Sequence, residues 1–289
     1  MKTLKLILIW FVTTVTMIIS WIIGNLVGNA MTSTTPPPPA DTAQAGLMFL
    51  AVCAFNSVLI TILLRATDGY SGLRRSIALV MYVFVIQCLL PQMETYFFAS
   101  DIGISYAQVT SILIAGIIVC FTTLPIALLI YKNLKLASPN PEPVTISFNK
   151  WSLLLLTVIV YPFLYLTFGY YIAWQNEDLR IFYTSSPAIA SYFEQFATAF
   201  VNGIYFFQIL RGLIWVIVTT PIAMMLSKNK VTQFLLIGIL SSLLPSSLLF
   251  IPNPYMPWDI AMTHFVETAS SNFIWGLAMA GGVRRNHAG

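Results

Sequence analysis

Charge is what this chain has least of: Lys, Arg, Asp and Glu make up 8% of its 289 residues, against about 25% in a soluble domain. So few charges cannot clothe a water-facing surface, which excludes a soluble globular protein. Histidine occurs twice and cysteine three times. Cys53, Cys88 and Cys120 lie in apolar runs without CxxC or Cys/His zinc spacing, so they read as buried, inert thiols. HExxH and a glycine-rich phosphate loop are also missing, since Gly281-Gly282 only ends the last apolar run. No metal and no cofactor are therefore expected. The basic residues are scattered through short loops instead of forming one patch, which argues against a nucleic-acid partner.

What the chain has is hydrocarbon. Hydrophobic residues fill 58% of it, and eight runs approach the ~20 residues that a membrane-spanning helix needs. They lie near 5–29, 46–66, 75–98, 106–131, 151–174, 203–226, 231–250 and 258–282. The first resembles a signal peptide, with Lys2 and Lys5 ahead of it and Gly28-Asn29-Ala30 at its end. Its apolar stretch from Leu6 to Ile23 exceeds the ~7–15 residues of a signal core, so it is expected to be retained. The expected fold is an all-α, polytopic bundle of about eight transmembrane helices.

Orientation follows from the basic residues. With the N-terminus inside, Lys2, Lys5, Arg65, Arg74, Arg75, Lys132, Lys135, Lys150, Lys228, Lys230, Arg284 and Arg285 all become cytoplasmic. Arg180 alone falls in an outer loop and Arg211 within a span. An even helix count then places both termini in the cytoplasm.

The loops suggest an internal division. Residues 1–138 form a first four-helix half, 139–149 a cytoplasmic linker with Pro139, Pro141 and Pro143, and 150–289 a second half. Pro36 to Pro39 make a stiff outer spacer. The longest outer loop, 175–201, is polar first and then aromatic. A helix is expected there over Pro187 to Phe200, with Tyr192, Phe193 and Phe196 at the membrane interface or forming a lid. At a constant offset of 154 residues, Leu89-Leu90-Pro91 matches Leu243-Leu244-Pro245 and Arg74 matches Lys228. Gly24 to Gly28 likewise has the spacing of Gly169 to Ala173, a small-xxx-small pattern. A parallel 4+4 repeat would follow.

The last run carries the candidate site. In MTHFVETASSNF, His264, Glu267, Thr268 and Ser271 fall at i, i+3, i+4 and i+7, one polar stripe on a helix. Ionisable residues inside a span default to a functional site. At ~1.5 Å per residue, His264, Glu267 and Arg211 lie roughly 9, 13 and 12 Å in from the outer face, with Glu94 near the outer end of the third run. Arg211 and Glu267 are expected to touch, because a carboxylate suits the guanidinium fork. His264 and Glu267 with Glu94 offer a metal alternative, and a His beside a buried Glu offers proton coupling. Gly69-Tyr70-Ser71-Gly72 matches the rhomboid GxSG string but sits in a cytoplasmic turn with no dyad histidine on its side.

LLPQMET (89–95), FGYYIAWQNEDLRIFY (168–183), FFQILRGLIW (206–215) and IPNPYMPWDIAMTHFVETASSNFIWG (251–276) resemble stretches of a group of bacterial multi-pass membrane proteins of unknown function. That resemblance implies a bacterial inner-membrane protein and no activity. The expected function is binding or transport of a small or amphipathic molecule through an outward-facing polar cavity, with membrane lipid as neighbour. The alternatives are a membrane-embedded hydrolase or transferase acting on lipid-linked substrates, and a structural or accessory subunit.

Overall fold

The computed structural model describes residues 2–136, 149–226 and 229–282. The expected linker therefore lies outside the described residues except for Asn149, as do Lys228, Arg284 and Arg285. Among the described residues there is no strand, and Asn253 and Met256 form an isolated bridge.

Ten helices follow one another: α1 Lys2–Thr32, α2 Thr42–Ala66, α3 Gly72–Phe97, α4 Tyr106–Asn133, α5 Lys150–Ala173, α6 Glu177–Thr184, α7 Tyr192–Val201, α8 Ile204–Met225, α9 Lys230–Ser246 and α10 Trp258–Gly282. Seven of them are long and apolar enough to cross a membrane: α1 to α5, α8, and α9 with its extension to Phe250. The chain is a multi-pass membrane protein. The eighth expected span, α10, has 25 residues, the length of a crossing, but is not among the seven. Its polar stripe is the reason, since His264, Glu267, Thr268, Ser270, Ser271 and Asn272 crowd its middle.

Proline shapes two of the long helices. A π turn, Val85–Leu89, precedes Pro91 in α3, and another, Leu156–Val160, precedes Pro162 in α5. Leu90 N–H reaches back to the Val85 carbonyl and Tyr161 N–H to that of Leu156, an i→i−5 pattern. A proline ring collides with the carbonyl four residues earlier and has no N–H for it, and widening the turn relieves the collision. In α5 that carbonyl belongs to Val158, and the Tyr205 hydroxyl of α8 donates to it at 2.7 Å. The matching Pro245 behaves differently: α9 tightens into a 3₁₀ turn, Ser247–Phe250, just beyond it.

Backbone contacts divide the chain into two compact units, the first holding α1 to α4 with Phe250–Pro257, the second α5 to α10. In the first, Gly24 and Gly28 of α1 press on the α4 backbone at Ala115 and Ser111, where any side chain would collide. Ser111 then donates to Asn29 at 2.7 Å, and Ser20 meets Thr122 at 2.7 Å. Arg75, buried, closes the end of α2 by donating to the Leu64 carbonyl at 2.8 Å. The counterpart of Gly24, Gly169, has open space around it and sits in a π turn, so the shared spacing does not carry a shared packing role.

The connection 174–203 differs from expectation in one respect. Its helices are α6 and α7, and α7 starts at Tyr192, five residues after Pro187. Ser185 takes a left-handed conformation that stops α6, and Ser191 and Glu194 form a reciprocal capping box that sets the start of α7. Tyr192 contacts Tyr170, Tyr171 and Phe196, with its hydroxyl 3.0 Å from Thr167, while Phe193 is 81% exposed.

Candidate functional site

The polar stripe of α10 lies within the second unit, and close packing against α9 fixes its direction. A Cβ on Gly276 would stand 2.7 Å from Gly238 Cα and 2.8 Å from the Ile237 carbonyl, so only glycine allows the two backbones to meet. One turn farther along the same seam, Ser242 donates to the Ala269 carbonyl at 2.7 Å. Farther along, Thr268 Oγ1 donates to the His264 carbonyl at 2.6 Å and lies 3.2 Å from Ser246 Oγ. Ser271 closes onto the Thr268 carbonyl at 3.3 Å. The hydroxyls of the stripe are thus spent on helix carbonyls and on α9, which satisfies them without water.

His264 and Glu267 turn to a different neighbour. His264 Nδ1 is 3.2 Å from Glu267 Oε2, and His264 Nε2 is 3.0 Å from the hydroxyl of Tyr183 on α6. The Tyr183 and His264 rings meet edge to face at 5.7 Å. The Glu267 side chain is 7% exposed and that of His264 21%, so the chain Tyr183, His264, Glu267 runs from a partly open position to a closed one.

Four residues hold α6 so that Tyr183 reaches this place. Asn176 caps the helix, accepting from Asp178 and Leu179 N–H, and its amide donates to Thr263 Oγ1 on α10 at 2.7 Å. Glu177 and Asp178 occupy the first turn, where the helix dipole favours negative charge. Arg180, buried, donates from Nη1 to the Trp174 carbonyl at 2.6 Å and from Nε to the Pro187 carbonyl at 2.7 Å. It thereby ties the end of α5 to the segment beyond α6.

Arg211 occupies a second polar spot in the same unit. It is buried in α8, donates from Nη1 to Gln208 Oε1 at 2.9 Å, and its guanidinium carbon lies 5.7 to 5.9 Å from the rings of Tyr165, Phe207 and Tyr161. An aromatic cage of this kind attracts a desolvated cation. Tyr161 in turn packs edge to face on Trp275 of α10 at 5.0 Å, linking the cage to the stripe helix. Gly212 lets α8 approach, with Tyr161 Cβ 3.1 Å from where its own Cβ would be.

An open groove of about 430 Å³ in the same unit is lined by Phe168, Ser242, Ala269, Ser270, Phe273 and Ile274. None of the stripe residues lines it, Phe273 lying on the side of α10 away from His264, and it is apolar but for its two hydroxyls.

Of the residues expected at the site, His264, Glu267, Thr268, Ser271 and Arg211 belong to the second unit, whereas Glu94 lies in α3 of the first. Among the described residues no three His, Cys, Asp or Glu side chains form a group able to hold a metal ion, so the metal alternative lacks a ligand set. Tyr183, Asn176, Gln208, Tyr161 and Tyr165 did not stand out in the sequence, and Arg180 did so only as a basic residue in an outer loop. Asn176 ahead of Glu177-Asp178 is a helix-start signal that reveals α6. Nothing marks Tyr183 among 13 tyrosines until the fold brings it to His264. Compared with known proteins, the chain matches no protein-family model, and no curated protein or solved structure is significantly similar to it, so the geometry has to carry the functional reading.

Proposed function

We propose that the protein binds or transports a small amphipathic molecule, using the polar centre of the second unit for its head and the groove of the same unit for its apolar part. The observation that carries this reading is the chain Tyr183, His264, Glu267, a partly open imidazole beside a closed carboxylate, on the same helix whose Ala269, Ser270, Phe273 and Ile274 line an apolar groove. A few placed polar groups beside an apolar concavity is the usual make-up of a small-molecule site. Buried Arg211, joined to α10 through Tyr161 and Trp275, supplies a cation near the same helix. In this reading Arg211 and Glu267 share an electrostatic partnership, α10 is an eighth span, both termini face the cytoplasm of a bacterial inner membrane, and the Tyr183 end of the stripe faces outward. The positive-inside distribution supports that orientation.

The test uses purified full-length protein in nanodiscs and a panel of single-chain anionic, zwitterionic and neutral amphiphiles, with retention read by native mass spectrometry. The expected result is selective retention of one headgroup class, lost in Ala269→Trp, which fills the groove, and weakened in His264→Ala. Retention that neither substitution changes refutes the reading.

A further inference from the structure

We infer that Tyr183, His264 and Glu267 form a proton relay, with Tyr183 as the entry group and Glu267 as the closed terminal acceptor. The hydrogen-bond roles follow from the donor and acceptor inventory. A carboxylate only accepts, so at 3.2 Å Glu267 takes the proton of His264 Nδ1–H. In neutral imidazole the other nitrogen must then accept, so at 3.0 Å Nε2 takes its hydrogen bond from the Tyr183 hydroxyl. Every donor in the row points the same way, from Tyr183 inward. A row with one polarity is the arrangement that passes a proton by successive short transfers.

The steps balance without any other reactant. A hydronium ion gives its proton to Tyr183 Oη, leaving water, as the original hydroxyl proton moves to His264 Nε2. His264 Nδ1–H then passes to Glu267 Oε2. One proton has entered, Tyr183 is restored, the imidazole is neutral in its other tautomer, and Glu267 is a neutral acid. The same transfers in reverse order release the proton. Exposure is graded to suit this direction, with the His264 side chain 21% open and that of Glu267 7%.

On α10 itself the described ionisable neighbour of the row is Asp259, in the first turn. Among the elements against α10, α9 carries one ionisable side chain, Lys230 at its first residue, and α5 carries Lys150 at its first residue and otherwise only tyrosines. On α6, Arg180 is engaged with two carbonyls, and Glu177 and Asp178 occupy the first turn, away from Tyr183 near its end. Arg211, among rings and bonded to Gln208, is the cation that the binding reading pairs electrostatically with Glu267. Tyr183 is thus the positioned contact between His264 and the α6 side of the site, and Asn176 and Arg180 are its positioning residues.

The inference deepens the binding and transport reading by naming the proton as coupling ion, and it is tested without any ligand. Full-length protein in liposomes is acidified by rapid mixing, and uptake at Glu267 is followed as the carboxylic-acid carbonyl band in time-resolved infrared difference spectra, identified by its loss in Glu267→Gln. Tyr183→Phe keeps the ring and removes only the hydroxyl. It should leave the final band in place and slow its appearance on the order of 10²-fold, the usual worth of a positioned proton-transfer group. His264→Gln should slow it similarly, with helical content and thermal midpoint as the folding check. An unchanged rate in Tyr183→Phe overturns the relay, as does a Glu267 that stays ionised while the His264 ring titrates. Failure to retain any amphiphile would count against the binding reading alone.

Discussion

Replacing Arg180 with Met should open α6 locally and leave the rest of the second unit intact. The guanidinium makes two charge-assisted hydrogen bonds, 2.6 Å to the Trp174 carbonyl and 2.7 Å to that of Pro187. A bond to a charged donor contributes about 1.5–3 kcal/mol. Pro187 is exposed, so its carbonyl rehydrates and its bond counts near the bottom of that range, whereas Trp174 is half-buried and recovers less. Methionine retains most of the stem's packing. The loss is then about 3 kcal/mol, and at 1.4 kcal/mol per decade the local opening constant rises on the order of 10²-fold. Hydrogen–deuterium exchange of the protein in nanodiscs, read on peptides spanning 176–190, should show that acceleration, while peptides of α9 and α10 stay protected. Arg180→Lys should fall between, near tenfold, because a single ammonium on a flexible stem reaches one carbonyl well but not two at once. Exchange unchanged within about threefold in Arg180→Met, or acceleration spread equally over α9 and α10, refutes the claim that this arginine staples α6 as a local unit.

Gly276→Ala should destabilise the α9–α10 seam by about 1–3 kcal/mol, because the new methyl meets backbone on α9 that cannot swing aside. Gly169→Ala, with open space around it, should not lower the thermal midpoint in detergent, and equal losses in the two variants would count against the packing argument. Tyr205→Phe should cost about 1–3 kcal/mol by leaving the Val158 carbonyl without its donor inside the membrane. In a Pro162→Ala background, where an N–H returns to that turn, the cost should shrink, and a double-mutant cycle with no coupling would refute the link. The Ser191 hydroxyl and backbone N–H hold the Glu194 carboxyl below its ordinary range. A lowered carboxyl stabilises the start of α7 above its unfolded value and loses that contribution as pH falls through the folded one. Amide exchange at 192–195 should therefore accelerate on acidification, and Ser191→Ala, which removes the hydroxyl but keeps the backbone N–H, should weaken that pH dependence.

The membrane class was legible because it rests on local composition: few charges, long apolar runs, and prolines and polar stretches between them. The polar stripe was legible for the same reason, since i, i+3, i+4 and i+7 positions on one helix share a face whatever surrounds them. What surrounds them was not legible. Gly24 and Gly169 look alike in the sequence, yet one meets Ala115 and the other meets nothing, because a packing partner is a property of the fold. Leu-Leu-Pro likewise occurs twice, once after a widened turn and once before a tightened one. Arg180 appeared only as an exception to the positive-inside pattern, while its part in capping α5 depends on a chain reversal at Ser185 that no single residue announces.

The stripe also explains why α10 is the least apolar of the long helices without being the least secured. Apolar surface gives helices no reason to associate in lipid, whose tails are equally apolar, so association rests on close packing and on polar contacts. α10 has both. Gly276 meets Gly238, Ser242 holds the Ala269 carbonyl, Thr268 lies against Ser246, and Thr263 and His264 hold α6 through Asn176 and Tyr183. The groups that weaken α10 as a membrane span are therefore those that fix its rotation. Replacing His264 and Glu267 with leucine would make the segment insert more readily, and it would also release α6 and remove the carboxylate from the polar centre. The polarity of this helix is better understood as its means of attachment, and the candidate site as the part of that attachment still partly open to solvent.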